Sequence, residues 1–141
     1  MRVQIVLDCS DAVAQALWWS TTLEWQFEWL EPELFEQLKA DGFCTDADVT
    51  AVDDRLTWRD GAAINSGGDR NSVQRIYFQA VPDPKTVKNR MHVDVQVGPD
   101  LVESTVRSLL DRGATRIGGG SQGPHEWVVM ADPEGNEFCV S

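Results

Sequence analysis

Apolar and polar positions alternate from Arg2 to Cys9, with Val3, Ile5, Leu7 and Cys9 on one face and Arg2, Gln4, Val6 and Asp8 on the other. This period of two predicts a half-buried strand. Ser10 and Asp11 then supply N-cap oxygens, and Val13, Ala16, Leu17 and Ser20 keep helical spacing to about Thr22. From Leu23 to Leu30, Trp25, Phe27 and Trp29 alternate with Glu24, Gln26 and Glu28, which predicts a second strand. The same order returns at Arg90–Val97, where Met91, Val93, Val95 and Val97 oppose Arg90, His92, Asp94 and Gln96. Pro99 and Asp100 open the next helix, Glu103 stands at capping-box spacing, and Gly113 closes it after Val102, Val106, Leu109 and Leu110. Ala114–Ile117 reads as a short strand. Trp127–Ala131 and Glu137–Val140 read as a hairpin across the turn DPEGN.

The chain therefore repeats one unit, strand–helix–strand–strand–strand, and internal duplication is a topology signal. The last strands of the first copy are expected at Leu56–Ile64 and Val73–Val81. Residues 1–81 form the first module, 90–141 the second, and PDPKTVKN (82–89) the extended link within one domain spanning 1–141. The first module carries an insertion at 31–55 with its own helix, begun by Pro32 and ended by Gly42. GGGSQGP (118–124) lacks the Lys-Ser/Thr pair of a phosphate loop and reads as a flexible hairpin connection.

At 141 residues with 42% hydrophobic and 25% charged side chains, the composition is that of a folded α+β domain. The net charge of −11 argues against a nucleic-acid partner, which needs basic side chains against phosphates, and nine of those charges fall in residues 1–70. No apolar run approaches the ~20 residues of a membrane span, so no membrane partner is expected. Cys9, Cys44 and Cys139 lack paired spacing, which fits reduced thiols and a cytoplasmic location.

The two βαβββ units, the stretch VPDPKTVKNRMHVDV (81–95) and the ending HEWVVMADPEGNEFCV (125–140) resemble the glyoxalase-like domains of the vicinal oxygen chelate superfamily. That superfamily includes glyoxalase I, extradiol dioxygenases, fosfomycin-modifying enzymes and bleomycin-binding resistance proteins. The resemblance implies two βαβββ modules forming a curled mixed sheet, a cavity between them, and a homodimer. In metal-using relatives the first strand of each unit donates one ligand and the last strand a second. The matching positions here are Gln4 and His92 on the first strands and Cys139 on the last; Gln79 is the inward residue chosen for the first module. Relatives usually carry Glu where Cys139 stands, while Glu137 lies two residues earlier on the same face. With one imidazole, one thiol and two amides, the expected cofactor is none, or a weakly bound divalent zinc, manganese or iron.

Several residues have a structural reading beside the functional one. His92 and Asp94 share a face, either as a hydrogen-bonded pair or as an imidazole oriented by a carboxylate. Asp94 and Glu137 are the candidate general bases. Trp25 and Trp29 read as core packing or as a stacking wall for a planar or cationic ligand, and Arg90 and Gln96 as further ligand contacts. The first function expected is small-molecule binding, including sequestration of an aromatic or cationic compound as in bleomycin resistance proteins. The alternatives are a metal-dependent lyase, isomerase or dioxygenase, and a non-catalytic dimeric interaction module.

Overall fold

The computed structural model describes residues 3–68 and 73–141. The chain divides into two compact units, Met1–Asp83 and Pro84–Ser141. The first contains β1 (Ile5–Cys9), α1 (Ala12–Leu23), β2 (Gln26–Phe27), α2 (Pro32–Ala40), β3 (Val49–Val52), β4 (Arg55–Trp58), β5 (Gly61–Asn65) and β6 (Arg75–Ala80). The second contains β7 (Asp94–Val95), α3 (Val102–Asp111), β8 (Thr115–Gln122), β9 (His125–Ala131) and β10 (Glu137–Val140). Their sheets run β1-β6-β5-β2 and β7-β10-β9-β8. With the inserted α2, β3 and β4 set aside, both orders read first, last, third, second. In each the first and last strands pair in parallel and the other neighbours antiparallel. The fold is α+β, built from two βαβββ units. Each unit has its own four-stranded mixed sheet, as the duplicated module implies, though the sheets are neither closed nor strongly curled.

Alternation decides which face each helix covers. In β1, Cys9 is buried and Ile5 and Leu7 are half-buried, while Gln4, Val6 and Asp8 are exposed. Ile5 pairs with Ile76 and Leu7 with Phe78, so the apolar rows of β1 and β6 share one face. There α1 packs on β5 and β6, burying Val13, Ala16 and Trp19 against Ile64, Ile76 and Phe78. The second unit repeats the arrangement, with Val106 and Leu109 of α3 buried and Val95, Val128, Met130, Phe138 and Val140 forming the apolar row. The opposite face of each sheet mixes polar side chains, Asp8, Arg75 and Gln79 in the first unit and Asp94 and Glu137 in the second, with Val6, Ala63, Trp127 and Val129.

Several sequence expectations are corrected. The strand expected at Leu23–Leu30 shrinks to Gln26–Phe27 because the helix continues to Leu23 and turns through left-handed Glu24. Ser20 stabilises that exit: its hydroxyl donates to the Trp25 carbonyl at 2.6 Å, and its carbonyl accepts the Trp25 amide at 2.9 Å. The strand expected at Leu56–Ile64 is broken in two. The Arg59 guanidinium donates to the carbonyls of Ala47 and Val49, and β4 pairs with β3 in a separate two-stranded sheet. Leu30, Phe35 and Val49, packed with Cys44, Leu56 and Trp58, form a small core for the insertion. In the second unit only Asp94–Val95 of Arg90–Val97 is strand, and α3 starts after Leu101 without the expected Asp100–Glu103 capping box.

The glycine run is also corrected. Gly118–Gly120 lie inside β8, opposite Val129, Val128 and Trp127, and the turn falls at Gly123, whose φ is 59°. A Cβ on Gly119 would lie 2.8 Å from the Trp127 carbonyl oxygen, and one on Gly120 2.7 Å from the indole ring. Glycine is needed there because the Trp127 ring lies across the neighbouring strand. Gly120→Val is expected to lower stability by about 1–3 kcal/mol and to shift the tryptophan emission; thermal unfolding and fluorescence check both. An unchanged Tm would show that the ring has room to move.

Candidate functional site

The polar face of the second sheet carries the densest chemistry. The parallel pairing of β10 with β7 sets Cys139 opposite Asp94, and His92 lies two residues before Asp94. His92 Nε2 is 3.5 Å from Asp94 Oδ1. The ligand atoms of His92, Asp94 and Cys139 all lie within 4.8 Å of one another. His92 and Asp94 are exposed, whereas Cys139 is 8% exposed. Burial pushes the Cys139 thiol above its ordinary pKa, and the charge of Asp94 and a hydrogen bond to it push the same way. The thiol is therefore protonated near neutral pH unless a cation displaces its proton. These three residues line an open hollow together with Lys88, Gln96 and Trp127.

Glu137 borders the same hollow but is already engaged. Its carboxylate accepts the Asn89 amide at 2.9 Å and Lys85 Nζ at 3.0 Å. The Asn89 hydrogen bond is the largest cause holding its pKa down at about 2, with Lys85 adding to it. A carboxylate so placed is a weak proton acceptor near pH 7 and a good anchor for the 84–89 segment. Asp132 organises the adjacent turn, accepting the backbone amides of Glu134 and Asn136 on Oδ1. Arg90 is exposed and lies outside the residues lining the hollow, whereas Gln96 lines it.

The polar face of the first sheet is differently built. Arg75 clamps Glu28, Nε to both carboxylate oxygens and Nη2 to Oε2 at 2.8 Å. Asn65 Nδ2 adds a bond to Glu28 Oε1 at 3.0 Å. Arg75 Nη1 also donates to the side-chain oxygen of Gln4. The Gln4 carbonyl is thus already paired with a cation belonging to the chain. Gln79 is exposed, in register with Asp8 and Gly61. Trp25 and Trp29 are half-buried, and the cation on the Trp29 ring is Arg55, 4.1 Å from its centroid, with Phe27 4.3 Å away. The sequence reading missed Trp127, whose signal is Gly120, the position that makes room for its ring. It also missed Arg75, whose signal is its shared face with Tyr77 and Gln79 beside a parallel β1.

Both units thus share one strand order, with polar side chains on the sheet face opposite the helix. Residues 4–141 match the model of the glyoxalase-like domain, and the chain belongs to that family within the vicinal oxygen chelate superfamily. Among curated proteins, none matches the chain significantly in sequence. Solved structures are similar in fold. A glyoxalase/bleomycin resistance protein/dioxygenase family enzyme from Burkholderia phytofirmans is 15% identical, covering 97% of this chain and 94% of its own, with a TM-score of 0.59. The fosfomycin resistance protein FosX from Listeria monocytogenes is 9% identical, covering 99% and 90%, with a TM-score of 0.62. A FosX variant complexed with Mn(II) and 1S,2S-dihydroxypropylphosphonic acid gives 9%, 99%, 89% and 0.63. Among the described residues, no helix is long and apolar enough to cross a membrane.

The Glu137 clamp makes stability depend on pH. Its folded pKa lies below the ordinary carboxylate value, so its contribution is complete above about pH 4.5 and is lost as pH falls towards 2. Glu137→Gln is expected to remove roughly 1–2 kcal/mol at pH 7 after solvent screening and to flatten the acid limb of the Tm–pH curve. Parallel acid limbs in the two proteins would contradict the clamp.

Proposed function

We propose that the protein binds a small molecule on the polar face of its second sheet, in the hollow lined by Trp127, Gln96, His92, Asp94 and Cys139. The supporting observation is that this hollow joins an aromatic ring and several polar side chains in one open place. In the first sheet the corresponding polar groups are already paired with one another. A planar ligand would stack on Trp127, and its polar edge would meet Gln96 and His92. Among the candidate bases, Asp94 suits proton transfer better than Glu137, because Glu137 is tied to Asn89 and Lys85. Tryptophan fluorescence with a panel of aromatic compounds, cationic, neutral and anionic, tests the reading. Saturable quenching is expected, weakened at least tenfold in Trp127→Ala and unchanged in Trp25→Phe. Quenching lost only in Trp25→Phe would move the site to the first unit, and no quenching would refute binding of such compounds.

The clustering of His92, Asp94 and Cys139 favours a second reading, a metal-dependent lyase, isomerase or dioxygenase. A bound cation there would supply Lewis-acid polarisation of a ligand oxygen. His92 and Cys139 would hold it, and Asp94 would serve as ligand or as proton acceptor. Under either reading the functional partner is a small molecule, and the protein is proposed to be a cytoplasmic homodimer formed of one two-module domain.

A further inference from the structure

We infer that the ligand of the second unit's polar face is an aromatic acid, its ring seated on Gly118 and Val129 beside Trp127 and its carboxylate met by Lys88. The inference rests on the small-molecule reading above and names the class of ligand for that site. Pairing sets Gly118 opposite Val129 and Val129 opposite Cys139, so the three positions share one face across β8, β9 and β10. A Cβ on Gly118 would meet nothing within 4 Å, whereas at Gly120 the Trp127 indole already fills that space. Val129 is half-buried and lines the hollow with Trp127. The result is a patch that is bare at Gly118, floored by Val129 and walled by an indole, which suits a planar ring.

The sign of the ligand follows from which charges around the hollow are already met. Glu137 takes Lys85 at 3.0 Å and the Asn89 amide at 2.9 Å. Glu103 faces Arg116 at 3.8 Å. Glu126 alternates with Trp127 along β9 and so points to the helix side of the sheet. Asp94 faces His92 at 3.5 Å and accepts a hydrogen bond from the Cys139 thiol. Lys88 is different. It lines the hollow, makes no ion pair among the described residues, and its Nζ meets the Asn89 carbonyl at a long 3.4 Å. Its positive charge acts on the Cys139 thiol, opposing the burial that raises that group's pKa, so the ammonium stands within range of that position. The hold of Glu137 on the Asn89 amide fixes the adjoining backbone, so one carboxylate both occupies Lys85 and sets Lys88 in place. Neighbouring strands are about 5 Å apart, so a ring on Gly118 and Val129 lies one strand spacing from Cys139. A short aliphatic arm carries a carboxylate across that gap to Lys88.

The test is isothermal titration calorimetry of the purified full chain with three probes that share one ring: naphthylacetate, naphthylacetamide and naphthylethylammonium. The acetate is expected to bind at least about threefold more tightly than the amide, the scale of an ion pair at a half-open site, and the ammonium more weakly than both. Raising the salt concentration should shrink the acetate's advantage and leave the amide's affinity as it was. Lys88→Gln should bring the acetate down to the affinity of the amide without changing the amide, and Lys88→Arg should keep the preference. Arg107→Gln removes an exposed cation from α3 and should leave the preference intact. Gly118→Leu should weaken all three probes while Tm holds, because its Cβ enters open space. Acetate and amide binding alike, or a preference that survives Lys88→Gln, would overturn the inference and leave the small-molecule site standing. Full affinity in Gly118→Leu would overturn the seat in the same way. Binding of none of the three probes would overturn both the inference and the reading it rests on.

Discussion

The chemistry of this protein depends on one backbone constraint, the parallel pairing of β10 with β7. Register in a sheet has a period of two, so a slip of one residue would exchange Cys139 for Phe138 or Val140 and Asp94 for Val95. The observed register keeps Val95, Phe138 and Val140 buried and leaves Asp94 and Cys139 on the opposite face. Burial of the apolar row therefore fixes where the polar row must be. His92 and Gln96 follow at the same spacing.

The first unit has the same strand order but has turned its polar face to another use. Arg75, Glu28, Gln4 and Asn65 satisfy one another in a charge-assisted network. Such a network orders the end of the sheet and leaves few groups free for a ligand. Trp29 is similarly engaged by Arg55. Duplication thus gave two copies of one scaffold, of which the second retains accessible donors and the first has closed its own.

The repeat, both module helices and the Glu137–Val140 hairpin were legible in the sequence because their apolar spacing is regular, and the Asp11 cap of α1 and the DPEGN turn are local. The sheet face of Gln4 in the first unit, and that of His92, Asp94 and Cys139 in the second, were legible for the same reason. Three features were not. Ser20 closes a helix exit through two bonds to Trp25 and so shortens the aromatic strand, which propensity alone does not indicate. Gly118–Gly120 resemble a loop until their partner strand is known: the space a side chain would take is filled at Gly119 by the Trp127 carbonyl and at Gly120 by its indole. The state of Glu137 depends on Asn89 and Lys85, more than 45 residues away in sequence. Long-range pairing decides whether a carboxylate is a base or an anchor, and no local pattern records it.

The infrared S–H stretch of Cys139 tests the central register most directly. Difference spectra between the wild type and Cys139→Ser isolate that thiol from Cys9 and Cys44. With Cys139 opposite Asp94, its band should lie at the frequency of a thiol donating to a carboxylate and move towards a weakly bonded thiol in Asp94→Asn. A Cys139 band that is the same in both backgrounds would mean that the two side chains are not neighbours, and the polar face described above would not exist.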